Sequence, residues 1–242
     1  PWSLEGRPVL VIFARRPEKG QVKSRLVPLV GEEGALKLHR AFMRDTLANL
    51  APAARHLRAA VVLAVTGNGA LDPADVPAGA VDQVISQAGG DLGRRLLESQ
   101  RRLFRAGATA VVAVGSDSPT LPISLLTGAL EGLRQVDAVF SPAEDGGYVL
   151  VGVNRPLPVL FHGIPWGTRE VLHVSLRQLS SAGLSSLCLP GWYDVDDDVG
   201  LARLTAEIRI QGSRAPASAA VLKNLRQADG SAGCNEDDGA AT

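Results

Sequence analysis

The hydrophobic pattern of the chain alternates between two kinds of segment. Residues 8–14, PVLVIFA, are continuously apolar, carry β-branched members and are bounded by proline and charges, which predicts a strand buried on both faces. AAVVLAVT (59–66) and ATAVVAVGSD (108–117) repeat that pattern, and DQVIS (82–86), DAVFS (137–141) and YVLVGV (148–153) predict shorter strands. Between them lie amphipathic stretches. GEEGALKLHRAFMRDTLANL (31–50) sets Leu36, Phe42, Met43, Leu47 and Leu50 at helical spacing, with acids in its first turn to complement the helix dipole. DLGRRLLESQRRLFRAG (91–107) predicts a helix capped by Asp91 and closed by Gly107, and PISLLTGALEGL (122–133) a helix with Pro122 at its start. GTREVLHVSLRQLSSAG (167–183), LSSLCLPG (184–191) and DDVGLARLTAEI (197–208) add a helix, a strand and a last helix. This alternation predicts an α/β fold with a largely parallel sheet and helices on both faces. YVLVGV follows its predecessor so closely that it is the expected antiparallel member of a mixed sheet.

With 242 residues and no linker before about residue 207, the chain is expected to form a single domain over 1–210. Residues 211–242 are rich in Ala, Ser, Gly and acids and are expected to be a largely disordered polar tail. Lys plus Arg and Asp plus Glu number 25 each, so no net positive field favours nucleic acid or an anionic membrane. Cys188 and Cys234 offer neither a disulfide framework nor a thiolate metal site, which suits a reducing, cytoplasmic setting. The longest apolar runs fall far short of the roughly 20 residues of a membrane helix, and no secretory signal pattern opens the chain. It begins at Pro1 rather than Met, so its true beginning is expected to be missing.

Ligands of open α/β sheets bind beyond the carboxyl ends of the strands, which singles out particular loops. ARRPEKGQVKSRL (14–26) follows the first strand with Arg15, Arg16, Lys19, Lys23 and Arg25, a composition suited either to a polyphosphate or to a solvated surface loop. A phosphate-binding P-loop is rejected, because Val22 and Pro17 stand where that motif requires glycines. GSDSPTLP (115–122) puts Asp117 at the end of a strand, fit for Mg²⁺ or Mn²⁺ or for a helix cap; Ser118 and Thr120 can supply the cap, which leaves Asp117 the freer residue. YDVDDDVG (193–200) spaces Asp194, Asp196 and Asp198 like a calcium loop, but Val199 and Thr205 break that motif. Asp197 and Asp198 are better explained as an acidic helix start, and Asp196 as a second metal ligand. In PAEDGGYVLVGV (142–153), Gly146 and Gly147 allow a sharp turn and close approach to a ligand, and Asp145 rather than Glu144 is expected to face the cleft. His39, His56, His162 and His173 lack zinc-site spacing and are expected to be surface or core residues.

FARRPEKGQVKSRL, QAGGDLGRRL, GSDSPTLP, PAEDGGYVLVGV, IPWGTREVL and YDVDDDVGLARL, in this order, resemble the DUF2064 family over roughly residues 8–206. These are glycosyltransferase-A-fold proteins, some named as arsenosugar-biosynthesis glycosyltransferases or radical-SAM/selenodomain-associated transferases. Their fold is shared with nucleotide-sugar transferases and with nucleotidyltransferases. The chain departs from the family pattern at Ser24, Ser118, Thr120 and Asp197, where Thr, Cys, Gly and Thr are expected. The resemblance implies a nucleotide-diphosphate donor over the strand ends, its phosphates on Arg15, Lys23 and Arg25, and a divalent cation, Mg²⁺ or Mn²⁺, at Asp117 and Asp196.

QAGGDLG (87–93) supplies Gln87 and Gly90 as candidates for the nucleotide, with Asp91 an ordinary cap. IPWGTREVL (164–172) puts Trp166 and Thr168 on the acceptor side, although a Trp more commonly packs. The reaction expected is metal-dependent transfer of a sugar from a nucleotide-diphosphate donor to a small acceptor, with Asp145 as base if the anomeric carbon is inverted. The alternative is a nucleotidyltransferase joining a nucleoside triphosphate to a small phosphate-bearing substrate, since attack at phosphorus calls for the same metal and cations. A catalytically idle nucleotide-binding module is disfavoured by Lys23, Arg25, Asp117 and Asp145 standing together.

Overall fold

The computed structural model describes residues 3, 4, 6–67, 71–211 and 214–232. Its centre is a seven-stranded sheet of β1 (Val9–Ala14), β2 (Ala60–Val65), β3 (Gln83–Ser86), β4 (Val111–Gly115), β5 (Ala138–Pro142), β6 (Tyr148–Val153) and β7 (Ser186–Cys188). The strands run in the order β3-β2-β1-β4-β6-β5-β7. All neighbours pair in parallel except β6, which lies antiparallel between β4 and β5, as its short connection predicts. Six strands therefore end on one edge of the sheet, and β6 begins there.

Successive side chains of a strand point to opposite faces, and here each face has its own helices. Leu10 and Ile12 of β1 join Leu63, Val112 and Val114 beneath α1 (Val27–His56) and α3 (Ile123–Gly132), which contribute Met43, Leu47, Leu50, Leu125 and Leu126. Val9 and Val11 join Val62, Val111 and Phe140 on the other face, covered by α2 (Leu92–Arg105), α4 (Val171–Ser181) and a 3₁₀ turn at Pro158–Phe161. Burial on both faces explains the unbroken apolar runs. Edge strand β7 has all three residues exposed. Asp91 caps α2 as expected, accepting from the Arg94 amide at 2.8 Å. Among the described residues no helix is long and apolar enough to cross a membrane.

Two helices differ from expectation. α1 runs beyond Leu50 and through Pro52 to His56, because Ala51 and Ala54 continue its buried face, and it breaks at Gly31, where φ is 69°. The expected disordered tail contains α6 (Pro216–Ala232), while residues 233–242 lie outside the described residues. α6 follows α5 (Asp198–Gln211) and packs on α1 around Leu38, Phe42, Leu204 and Ala215, with Leu222 and Leu225 alongside. Its anchor is Asp45 of α1, 1 % exposed, whose carboxylate accepts from the amides of Ala217 (3.0 Å) and Ser218 (2.8 Å) and from the Ser218 hydroxyl (2.6 Å). A carboxylate from a distant helix thus satisfies amides at the start of α6.

Asp45→Ala is expected to destabilise the protein by roughly 2–4 kcal/mol, measured by denaturant unfolding. Burial pushes the Asp45 carboxyl above its ordinary value, and the bonds from Ser218 and Ala217 offset this only in part. A raised folded pKa means that Asp45 contributes most at pH below the unfolded value of a carboxyl and loses contribution as pH rises through the folded one. The stability gap between wild type and Asp45→Asn should therefore narrow with rising pH; a gap that widens contradicts this assignment.

Candidate active site

Four of the loops at the common edge are 15–26 after β1, 116–121 after β4, 143–147 between β5 and β6, and 189–197 after β7. Hydrogen bonds between loops gather them. The Ser118 hydroxyl donates to the Tyr193 carbonyl at 2.9 Å, and the Val195 amide donates to the Asp117 carbonyl at 2.8 Å. The Thr120 hydroxyl and the Tyr193 phenol both reach the Glu207 carboxylate of α5, at 2.9 and 2.6 Å. Ser118 and Thr120 therefore do not cap α3, whose N-cap is Pro122 with no side-chain bond. They fasten the segment carrying Asp194 and Asp196 beside Asp117.

Lys23 is the centre of the cluster. Its ammonium lies 2.8 Å from Asp117 Oδ1, 2.7 Å from Asp196 Oδ1 and 2.9 Å from the Val195 carbonyl oxygen, so all three donors are used. The side chain is 3 % exposed, against 36 % for Asp117 and 47 % for Asp196, and the Phe42 ring centroid lies 5.4 Å from the ammonium. Burial alone would pull the Lys23 pKa down, but Asp117 and Asp196 outweigh it and hold it above the ordinary lysine value. Burial likewise opposes ionisation of Asp117, yet Lys23, His39 and Arg15 together keep its carboxyl below the usual range.

Two groups join that sequence reading passed over. His39, buried on α1, places Nε2 3.0 Å from the Arg15 carbonyl and Nδ1 3.9 Å from Asp117 Oδ1. Its pKa is lowered by burial, against the pull of Asp117. Asp194 is half-buried, and desolvation, followed by the charges of Asp196, Asp145 and Asp117, pushes its pKa up to about 6. No local signal marks His39, which shares its helix with apolar neighbours. Asp194 was in view only as the first acid of a broken calcium motif.

A divalent cation fits these residues in a particular way. Asp117 and Asp196 aim one oxygen each at a single point, and the crowding of carboxylates around Asp194 leaves negative charge for a cation to offset. Among the described residues no group of three or more acidic, His or Cys side chains forms a metal cage. Two carboxylates without a cage suit Mg²⁺ or Mn²⁺, which fill their shells with water and substrate phosphate, better than a structural zinc.

The remaining candidates divide. Arg15, Lys19 and Arg25 are exposed on the first loop, with the Arg15 guanidinium 3.4 Å from the Gln21 carbonyl. Asp145 is exposed, and its Oδ1 accepts from the Gly147 amide at 2.9 Å, which sets the orientation of the carboxylate. Glu144 forms the acidic corner of the turn and pairs with Arg203, whose guanidinium lies 4.0 Å from the Tyr193 ring centroid.

Gly146, expected to approach a ligand, instead approaches the chain: its φ is 90°, and its carbonyl accepts from the Leu172 amide at 3.0 Å. Gln87 donates its side-chain amide to the Ala14 and Ala64 carbonyls at 3.1 and 2.8 Å, tying the ends of β1 and β2 together. Gly90, with φ 103°, offers its carbonyl to the Arg95 guanidinium at 2.9 Å. Trp166 packs edge-on against Tyr148, with ring centroids 6.3 Å apart, and close to Gly93, and the Thr168 hydroxyl donates to the Pro165 carbonyl at 2.8 Å. Gln87, Gly90, Trp166 and Thr168 bond or pack against the protein itself, and none of them is a bonding partner of the Lys23 ammonium.

Comparison with other proteins agrees with this architecture. The sequence pattern of DUF2064, described as an uncharacterized protein conserved in bacteria, matches residues 49–168. No curated protein matches the chain. A crystal structure from Desulfovibrio desulfuricans G20, provisionally assigned as a nucleotide-diphospho-sugar transferase, superposes with a TM-score of 0.80 and 32% identity over 92% of this chain and 98% of that one. CMP:2-keto-3-deoxy-manno-octonic acid synthetase complexed with CTP gives a TM-score of 0.51 and 14% identity, covering 85% of this chain and all of the other (100%). The 4-diphosphocytidyl-2C-methyl-D-erythritol synthase of Anaerococcus prevotii DSM 20548 gives 0.52 and 9%, covering 84% and 99%. The last two are likenesses of fold alone. A mixed sheet with one antiparallel strand, loops converging on its carboxyl edge and a full-length relative at 32% identity place this chain in the DUF2064 family, with the fold of nucleotide-diphospho-sugar transferases.

Proposed function

We propose that this protein is a metal-dependent glycosyltransferase that moves a sugar from a nucleotide-diphosphate donor to a small acceptor. The observation that carries the reading is the convergence of Lys23, Asp117 and Asp196 at the carboxyl edge of β1 and β4, where a sheet of this kind binds its ligand. Breaking a sugar to diphosphate bond builds negative charge on the leaving phosphate, and groups fixed in advance to meet that charge lower the barrier. Asp117 and Asp196 would hold the divalent ion, which supplies Lewis-acid neutralisation of the diphosphate when bound. Lys23, with Arg15 and Arg25 from the same exposed loop, would bring positive charge to the phosphates. Asp145, whose charge acts on Asp194, has an oriented, exposed carboxylate that would take the proton of an acceptor hydroxyl. Cys188 is a free thiol, in keeping with a reducing, cytoplasmic setting.

The test is incubation with a panel of nucleotide sugars and, separately, of nucleoside triphosphates, each with Mg²⁺ or Mn²⁺. Release of nucleoside diphosphate from a nucleotide sugar, abolished by chelation, is the expected result. Diphosphate release from a nucleoside triphosphate would move the reaction to nucleotidyl transfer on the same site, and release of neither would overturn the enzyme reading.

A further inference from the structure

We propose that the Lys23 ammonium is a placeholder for the divalent ion: it fills the point shared by Asp117 and Asp196 until a donor arrives, so that metal enters only together with nucleotide. This rests on the reading of Asp117 and Asp196 as the metal pair. The ammonium is caged by three oxygens at 2.7–2.9 Å, two of them from those carboxylates. A divalent ion such as Mg²⁺ needs carboxylate oxygens at about 2.1 Å. Ion and ammonium cannot both occupy the space between the same two oxygens, so one excludes the other.

Lys23 also has little reason to leave unaided. Its side chain is nearly sealed from water, and withdrawing it would leave two acids facing each other without a counter-charge. A donor diphosphate changes the balance by offering the ammonium a second set of anionic oxygens while bringing ligands that complete the shell of the ion. The loop is built to let the side chain swing. Lys23 holds a left-handed backbone at φ 51°, Gly20 stands at φ 74°, and Glu18 to Gln21, Ser24 and Arg25 are exposed. A non-glycine residue is strained in that region, so leaving it costs the loop little.

The measurement is Mn²⁺ binding by electron paramagnetic resonance of the free ion, on wild type, Lys23→Met and Lys23→Arg. It is made with Mn²⁺ alone and with Mn²⁺ plus ADP, GDP, UDP or CDP. Wild type should bind Mn²⁺ weakly until one of the nucleotides is present. Lys23→Met should bind Mn²⁺ alone about tenfold tighter or more, since the competing charge is gone, and should lose most of the coupling to nucleotide. Lys23→Arg keeps a cation at the position and should remain weak for Mn²⁺ alone; Lys23→Gln replaces Lys23→Met if thermal melting shows that the latter does not fold. Equal Mn²⁺ affinity for wild type and the neutral variant, with wild type still enhanced by nucleotide, overturns the placeholder and leaves the metal pair standing. No Mn²⁺ binding by wild type under either condition overturns the metal pair itself, and the placeholder with it.

Discussion

Asp117→Asn is expected to lower kcat/KM by about two to three orders of magnitude, the usual cost of losing one group aimed at developing charge. The substitution keeps the shape of the side chain and removes its charge. Lys23 would retain Asp196 and the Val195 carbonyl, so the fold should lose only about 1–3 kcal/mol. The backbone bond from the Val195 amide to the Asp117 carbonyl does not depend on the side chain and should keep the loops together. Two measurements therefore separate: a modest fall in melting temperature, and a large fall in turnover that added Mg²⁺ or Mn²⁺ restores only partly. Activity within tenfold of wild type, in a variant that melts normally, would remove Asp117 from the donor site.

The strands were legible because each central one is buried on two faces and so must be apolar throughout; Val9–Ala14 needed no context to be recognised. The antiparallel strand followed from chain length, since the turn from Pro142 to Tyr148 leaves no room for a crossover helix. α6 was hidden for the opposite reason. Its apolar stripe is short, Val221, Leu222 and Leu225 among Ala, Ser and polar groups, and what fixes its start is Asp45, 172 positions from Ala217 along the chain. A tertiary cap has no local signature.

The candidate site shows the same division between residue type and residue placement. Lys23, Asp117 and Asp196 stood out because cations and carboxylates at strand ends are the chemistry of phosphate donors. That they meet at one point depends on Ser118 holding Tyr193 and on Val195 pairing with Asp117, contacts that no spacing reveals. Gln87 and Thr168 were drawn in by the same reasoning and turn out to spend their donors on nearby carbonyls. A polar side chain beside a cleft can be claimed by the backbone first. His39 is the converse: a buried side chain on an apolar helix face that comes within 3.9 Å of the Asp117 carboxylate.

Gly146→Ala is expected to cost roughly 2–5 kcal/mol, from two separable sources. A φ of 90° is poorly tolerated by any residue with a Cβ, which accounts for about 1–2 kcal/mol. A Cβ built there would also lie 2.5 Å from the Arg169 Cα and 2.6 Å from its carbonyl carbon, closer still to the oxygen. Those are backbone atoms and cannot rotate away, so the loop before α4 or the turn carrying Asp145 has to move, at about 1–3 kcal/mol. Gly167 supplies the control: its φ is 80°, but a Cβ there meets nothing within 4 Å. Gly167→Ala should therefore lose only the conformational part. The melting temperature of Gly146→Ala should lie clearly below that of Gly167→Ala, and turnover should fall even at temperatures where Gly146→Ala is fully folded, because Asp145 is its direct neighbour in the turn. Equal melting points for the two variants would mean that the turn yields easily, and that the orientation of the Asp145 carboxylate does not depend on the docking of Gly146 against Arg169.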